Sequence, residues 1–328
     1  MRLLVTGGAG FIGSHYVRSL LSGAGLGGDR PVSAVTVLDK LTYSGNRANL
    51  DPVAGDPRLE FVHGDICDAA LVDQLMPGHD AVVHFAAETH VDRSIRGAAP
   101  FLMTNVIGTQ TLLDAALRHR VGRFLHVSTD EVYGSIEVGS WTEDWPLAPS
   151  SPYSAAKAGS DLIALAYHRT HRLDVVVTRC SNNYGPYQFP EKVIPLFATN
   201  LLDGRRVPLY GDGQYVRDWL HVADHCAGIH LALLGGRAGE VYHIGGGTEL
   251  TNKELTARLL DACGADWDMV EEVADRKGHD RRYSLDISKI SEELGYAPSL
   301  SFEDGLAATI AWYRDNRSWW EPLKAAHS

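Results

Sequence analysis

The first thirteen residues, MRLLVTGGAGFIG, set a short apolar run against glycines at 7, 8, 10 and 13 and then open an amphipathic stretch. Gly8, Gly10 and Gly13 fit GxGxxG, and Gly7, Gly10 and Gly13 fit the related GxxGxxG. Glycines after a strand permit a tight turn and let a pyrophosphate approach backbone N–H groups at the positive end of the next helix. The pattern therefore predicts a dinucleotide-binding βαβ unit. Asp39 ends the next β-branched run, Val35–Asp39. It lies somewhat beyond the usual spacing of about 20 residues, and the glycine-rich insertion 22–28 accounts for the excess. A carboxylate there accepts hydrogen bonds from ribose hydroxyls and repels a 2′-phosphate, which favours NAD over NADP; Lys40 beside it works against that preference. Asp65 and Ile66, after the third run, could meet the adenine or form an ordinary strand-end turn.

Six apolar runs, Leu3–Thr6, Val35–Asp39, Leu59–His63, Ala81–Phe85, Phe124–Ser128 and Val175–Cys180, are separated by helix-length segments. That rhythm predicts an α/β chain with a Rossmann-type doubly wound parallel sheet covered on both faces. After residue 185 prolines interrupt it, and short strand candidates at Val207–Tyr210 and Val241–Ile244 alternate with helices at Thr251–Cys263 and Phe302–Asn316. The expected division is residues 1–185 as an NAD-binding domain carrying the catalytic groups and 186–328 as a smaller α/β substrate-binding cap, with some segments returning to the main sheet. A length of 328 residues suits two such lobes.

The balance of 30 Lys+Arg against 41 Asp+Glu gives −11 and argues against a nucleic-acid footprint. Cys67, Cys180, Cys226 and Cys263 lack CxxC or Cys/His ligand spacing, so no disulfide framework and no metal site is expected. A soluble cytoplasmic chain follows: the strand begins too early for a leader, and no apolar run approaches the roughly 20 residues that span a bilayer.

Tyr153 and Lys157 form YxxxK at the start of SPYSAAKAGSDLIALAYHR. Residues four apart share a helical face, so phenol and ammonium can converge. A nearby cation favours phenolate, turning a poor base into a usable one. Thr129, Asp130 and Glu131 fall at the carboxyl end of a strand, where open parallel sheets bind ligands. Adjacent side chains of a strand point to opposite faces, so the two carboxyls can share a site only if the chain turns there, and Val132-Tyr133-Gly134 offers that turn. Two carboxyls in one pocket do not both ionise easily, which makes one an acid and the other a base, or else the pair is a solvated acidic turn.

Taken together, GGAGFIG, HFAAETHVDRS (84–94), STDEVYG (128–134), YSAAK (153–157) and RCSNNYGPYQFPEK (179–192) resemble the extended short-chain dehydrogenase/reductases, and among them the dTDP-glucose 4,6-dehydratase family. The resemblance continues through YGDGQYVRDWLHVADH (210–225) and ADRKGHDRRYSLD (274–286). It implies that NAD lies against Gly7, Gly10, Phe11, Ile12, Gly13, Asp39, Asp65, Ile66, Ala86, Tyr153 and Lys157. It also implies the chemistry. Tyr153, assisted by Lys157, takes the 4-hydroxyl proton as hydride passes from carbon 4 to NAD⁺; Glu131 removes the carbon 5 proton, Asp130 protonates the departing 6-hydroxyl, and hydride returns to carbon 6. Thr129 holds the 4-hydroxyl.

By the same resemblance Asn182, Arg217, Asn252, Arg276 and His279 face the pyrophosphate of dTDP-glucose, Lys192, Pro208 and Tyr210 the nucleoside, and Glu191 the sugar, with Thr89 a further substrate contact. His90 and Asp92 are either substrate contacts or structural. A homodimer formed through helices around 98–118 and 152–170 is implied. The competing expectations are a related epimerase or decarboxylase, a dehydratase of another nucleotide or hexose, and a nucleotide-binding sensor without catalysis; the adjacent Asp130 and Glu131 count against the epimerase and the decarboxylase.

Overall fold

A computed structural model describes residues 1–22, 26, 30–275 and 278–325. In chain order the strands among them are β1 (Arg2–Thr6), β2 (Ala34–Asp39), β3 (Leu59–His63), β4 (Ala81–His84), β5 (Arg123–Thr129), β6 (Val175–Cys180), β7 (Asn182–Tyr184), β8 (Val207–Tyr210), β9 (Val216–His221), β10 (Val241–Ile244), β11 (Glu249–Thr251) and β12 (Val270–Val273). Seven of them form one parallel sheet in the order β10-β6-β5-β4-β1-β2-β3, the Rossmann-type α/β architecture expected from the sequence. The six strands read from apolar runs all occur, each end within one residue.

The sheet is covered on both faces because its strands are apolar on both. Leu3 and Val5 of β1 pack with Tyr16, Val17 and Leu20 of the helix Phe11–Leu21 and with Ile229 and Leu233 of the helix Val222–Gly235. Leu4, between them, faces the other way, into a core with Val82, Leu112, Phe124 and Leu165. Parallel pairing such as Leu3↔Val35 and Leu125↔Val176 brings the carboxyl ends of the strands to one edge, and the functional side chains gather there.

The chain does not leave this sheet at residue 185 for good. β10 pairs with β6 and completes the sheet, and the helix Val222–Gly235 covers one of its faces. The remaining C-terminal elements build a separate core of Ile194, Phe197, Trp219, Leu255, Phe302 and Tyr313, around the three-stranded sheet β11-β9-β7 and the pair β12-β8. No helix among the described residues is long and apolar enough to cross a membrane.

Candidate active site

A cavity of about 300 Å³ runs along the carboxyl edge of the sheet. Its floor is the glycine turn. Gly7 has φ +71°, and a Cβ there would stand 2.5 Å from the Ala86 nitrogen; one on Gly13 would stand 2.3 Å from the Gly7 carbonyl oxygen. Gly7, Gly10 and Gly13 line the cavity, whereas Gly8 abuts the Val37 side chain and does not. GxxGxxG is thus the spacing that describes the lining, and Gly8 serves the packing of turn against β2. Gly10 caps the helix Phe11–Leu21 without any side-chain hydrogen bond, so the first N–H groups stay available to an anion. A closely approached backbone, an uncapped helix start and an acidic strand end make a cradle that fits a dinucleotide.

Asp39 accepts from the Ala9 N–H at 2.9 Å and the Leu41 N–H at 2.8 Å, while burial pushes its pKa up against those two bonds. Lys40 does not act as an anion receptor for a 2′-phosphate, because its ammonium lies 2.6 Å from the Asp65 carboxylate. Phe11, Ile12, Ile66 and Ala86 line the same cavity. The sequence offered no signal for Thr42, Ser44 and Gly45, which also line it; they sit on an irregular loop after β2 that only the fold brings back over the cleft.

Thr129, Asp130, Glu131, Tyr153 and Lys157 all reach this cavity. Directly after β5 the chain turns into a 3₁₀ helix, Asp130–Tyr133, closed by Gly134 at φ +82°. Thr129 caps it, its hydroxyl oxygen accepting the Glu131 N–H at 3.2 Å. This turn is what lets two successive carboxyls share one pocket. Asp130 is 2% exposed; one oxygen accepts from the Thr129 hydroxyl at 3.2 Å and the other has no partner. Burial first, and the nearby Glu131 second, hold the Asp130 carboxyl well above the usual carboxylate range, which favours its protonated form.

Tyr153 and Lys157 lie in the first turns of the helix Pro152–His171. Ser151 and Ser154 form a reciprocal cap there and Pro152 takes the first helical position, which fixes where the helix begins and so where the phenol points. Tyr153 packs edge-on against Phe101, ring centroids 6.4 Å apart. The Lys157 ammonium donates to the Val127 carbonyl at 2.8 Å, anchoring it beneath the strand end.

A second cavity, about 240 Å³, adjoins the first through Glu131, Asn182, Asn183, Gln188, Glu191 and Lys192. Pro208, Tyr210, Arg217, Asn252 and His279 line it alone, as does Asp92. Thr89 lines the first cavity and not the second, and Arg276 lies outside the described residues. Arg217 is held by the Val216 and Asp280 carbonyls at 2.7 and 2.9 Å and stacks 4.0 Å over the Tyr283 ring. The Glu191 carboxylate accepts from the Tyr43 hydroxyl at 2.8 Å and lies 3.4 Å from His90. His90 also caps the helix Val91–Arg96, accepting the Arg93 N–H, which gives it a structural task at the wall of the second cavity. Asn183 and Gln188 fall inside the motif 179–192, but nothing in the string says which of its side chains turn inward.

Comparison with known proteins bears on this geometry. The model of the family described as GDP-mannose 4,6 dehydratase matches residues 4–309. A dTDP-glucose 4,6-dehydratase of Actinoplanes sp. is 68% identical, over 98% of this chain and 100% of its own length, and one of Streptomyces niveus is 66% identical, over 99% and 96%. The solved structure of DesIV, a dTDP-glucose 4,6-dehydratase from Streptomyces venezuelae with NAD and a dTDP ligand bound, superposes with a TM-score of 0.97 at 69% identity, covering 98% of this chain and all of that one. The chain belongs to the dTDP-glucose 4,6-dehydratase family.

The site by itself works against ionisation of the Tyr153 phenol. Burial, then the charge of Glu131, drives the Tyr153 phenol well above its ordinary pKa, with the Thr129 hydroxyl opposing. Burial lowers the Lys157 pKa to about 8, so its ammonium, anchored on the Val127 carbonyl, still carries its charge at neutral pH. Lys157→Ala is accordingly expected to lose most activity and to move the pH optimum for the remainder upward, because an unassisted buried phenol ionises only at higher pH. A pH profile of kcat/KM checks this; an unmoved optimum would detach Lys157 from the tyrosine.

Proposed function

We propose that the protein is an NAD-dependent hydro-lyase that converts dTDP-glucose to dTDP-4-keto-6-deoxy-glucose. One observation carries the reading: a buried Asp130, its carboxyl pushed toward the protonated form and one oxygen unpartnered, stands beside Glu131 in the same cavity as Tyr153 and Lys157. Oxidation alone needs the tyrosine and lysine; an added acid next to an added base is the equipment for eliminating water. NAD bound in the glycine cradle supplies the reversible acceptance of hydride, taken from sugar carbon 4 and given back at carbon 6.

The protein's own residues handle the protons. Tyr153 takes the proton of the 4-hydroxyl, with Lys157 stabilising the phenolate and Thr129 orienting the hydroxyl. Once carbon 4 is a ketone the carbon 5 proton is acidic, and Glu131 removes it. Asp130 gives its proton to the 6-hydroxyl, which leaves as water. Glu131 then returns its proton to carbon 5, Tyr153 releases to solvent the one it took from the 4-hydroxyl, and Asp130 regains one, so the cycle consumes no net proton.

Asn182, Arg217, Asn252, Arg276 and His279 bind the pyrophosphate in this reading, Lys192, Pro208 and Tyr210 the nucleoside, and Glu191 the sugar, with Thr89 a further substrate contact. Planar guanidinium and amide donors suit a diphosphate, and Arg217, stacked and fixed by two carbonyls, is preorganised for one. Residues 1–185 thus hold NAD and the catalytic groups, and 186–328 mainly the nucleotide sugar. The enzyme works in the cytoplasm as a homodimer; Leu102, Met103 and Ile107 at 43–52% exposure, with Leu162 at 56%, form an apolar face on the two helical stretches expected to pair, which supports that assembly.

Incubation with dTDP-glucose should yield a 4-keto-6-deoxy product, and mass spectrometry of the denatured protein should detect NAD. Conversion to the carbon 4 epimer would replace this reading by the epimerase, and release of NADP would overturn the role of Asp39.

A further inference from the structure

Both cavities leave one buried polar side chain next to the cradle unused. Asn49, 1% exposed in the 3₁₀ helix Arg47–Val53, lines neither of them. Its amide nitrogen donates to the Ala9 carbonyl at 2.9 Å, inside the glycine turn, and its amide oxygen accepts the Trp319 indole N–H at 2.9 Å. The indole can only donate and the carbonyl can only accept, so this pair of partners fixes which way the amide faces and demands an amide there. We propose that Asn49 is a positioning residue through which Trp319, on the C-terminal helix Arg317–Ala325, holds the phosphate-binding turn in its cofactor-binding shape.

Ala9 is where these restraints meet. Its N–H is tied to Asp39, and its carbonyl accepts both the Asn46 N–H at 3.0 Å and the Asn49 amide, so the peptide is restrained on either side. A carbonyl so bound cannot swing toward an anion at the neighbouring helix start, where it would repel a pyrophosphate. The far end is equally well seated. Arg18 donates to the Asn49 carbonyl at 2.6 Å and lies 4.1 Å over the Tyr187 ring, which packs on Trp312 and Trp319 with centroids 4.4 and 5.5 Å away. Tyr187 stands at φ +67°, a conformation that costs energy for a non-glycine residue and persists because this aromatic group surrounds it. The same C-terminal region reaches the junction of the two cavities, where the Tyr313 hydroxyl donates to the Gln188 carbonyl at 2.5 Å. Elements more than 260 residues apart in sequence are thus joined by one amide.

This inference rests on the cofactor reading above, and its test separates the two. Protein stripped of cofactor is titrated with NAD for wild type, Trp319→Phe and Asn49→Leu, with thermal melting recorded alongside. Trp319→Phe keeps most of the ring packing and removes only the donor, so it should fold and bind NAD about three- to tenfold more weakly, the weight of one hydrogen bond. Asn49→Leu, losing both bonds, should weaken binding further; should it fail to fold, Trp319→Phe decides the matter alone. A purely structural role would lower the melting temperature and leave the NAD dissociation constant of the folded protein unchanged, and that result overturns the proposal. A wild type that does not bind NAD overturns the cofactor reading and this inference with it.

Discussion

Replacing Tyr153 by phenylalanine is expected to lower turnover of dTDP-glucose by about 10²–10⁴-fold, the usual contribution of a general base. The hydroxyl is the only group removed. The ring stays against Phe101, Val91 and Ala156, so fold and nucleotide-sugar binding should survive almost intact. The variant should therefore show a collapsed kcat at a dissociation constant for dTDP-glucose close to that of wild type. Burial and the charge of Glu131 already hold the phenol's pKa up, so in the proposed mechanism the buried ammonium of Lys157 is the group that makes its ionisation usable. Full activity in Tyr153→Phe would remove YxxxK from the mechanism.

Asp130 and Glu131 should fail in a different way, because they belong to elimination. Asp130→Asn changes little else: burial already favours the neutral carboxyl, and an amide oxygen can keep the bond from the Thr129 hydroxyl. An amide cannot, however, deliver a full proton, so loss of the 6-hydroxyl should slow by about 10²–10⁴-fold. With a 6-deoxy-6-fluoro analogue of dTDP-glucose the defect should largely vanish, since fluoride departs without taking a full proton. Equal losses on both substrates would show that Asp130 is not the acid. Glu131→Gln should suppress exchange of the carbon 5 proton with deuterated solvent, measured by mass spectrometry of recovered sugar nucleotide; exchange at the wild-type rate would leave the Asp-Glu pair as a structural turn.

Much of this was legible in the chain because it depends on neighbours in sequence. A short run rich in β-branched residues, apolar on both faces, reads as a buried strand, and six of them at helix-length intervals read as a parallel sheet. YxxxK places two groups on one face whatever the helix packs against. The turn after β5 was readable from Gly134, whose positive φ an L side chain resists. Matters decided by contacts across the fold were not readable. Of two overlapping glycine fingerprints, the approach of Ala86 and Val37 selected the one that lines the cleft. Lys40 looked like an anion receptor until Asp65, 25 positions on, claimed its charge. The strand Val241–Ile244 could sit in either lobe, and its pairing with β6 put it in the main sheet. Asn49 carries no motif at all. Its importance arises only where the first and last elements of the chain meet, because a hydrogen bond's partners are set by position in space and not by order along the backbone.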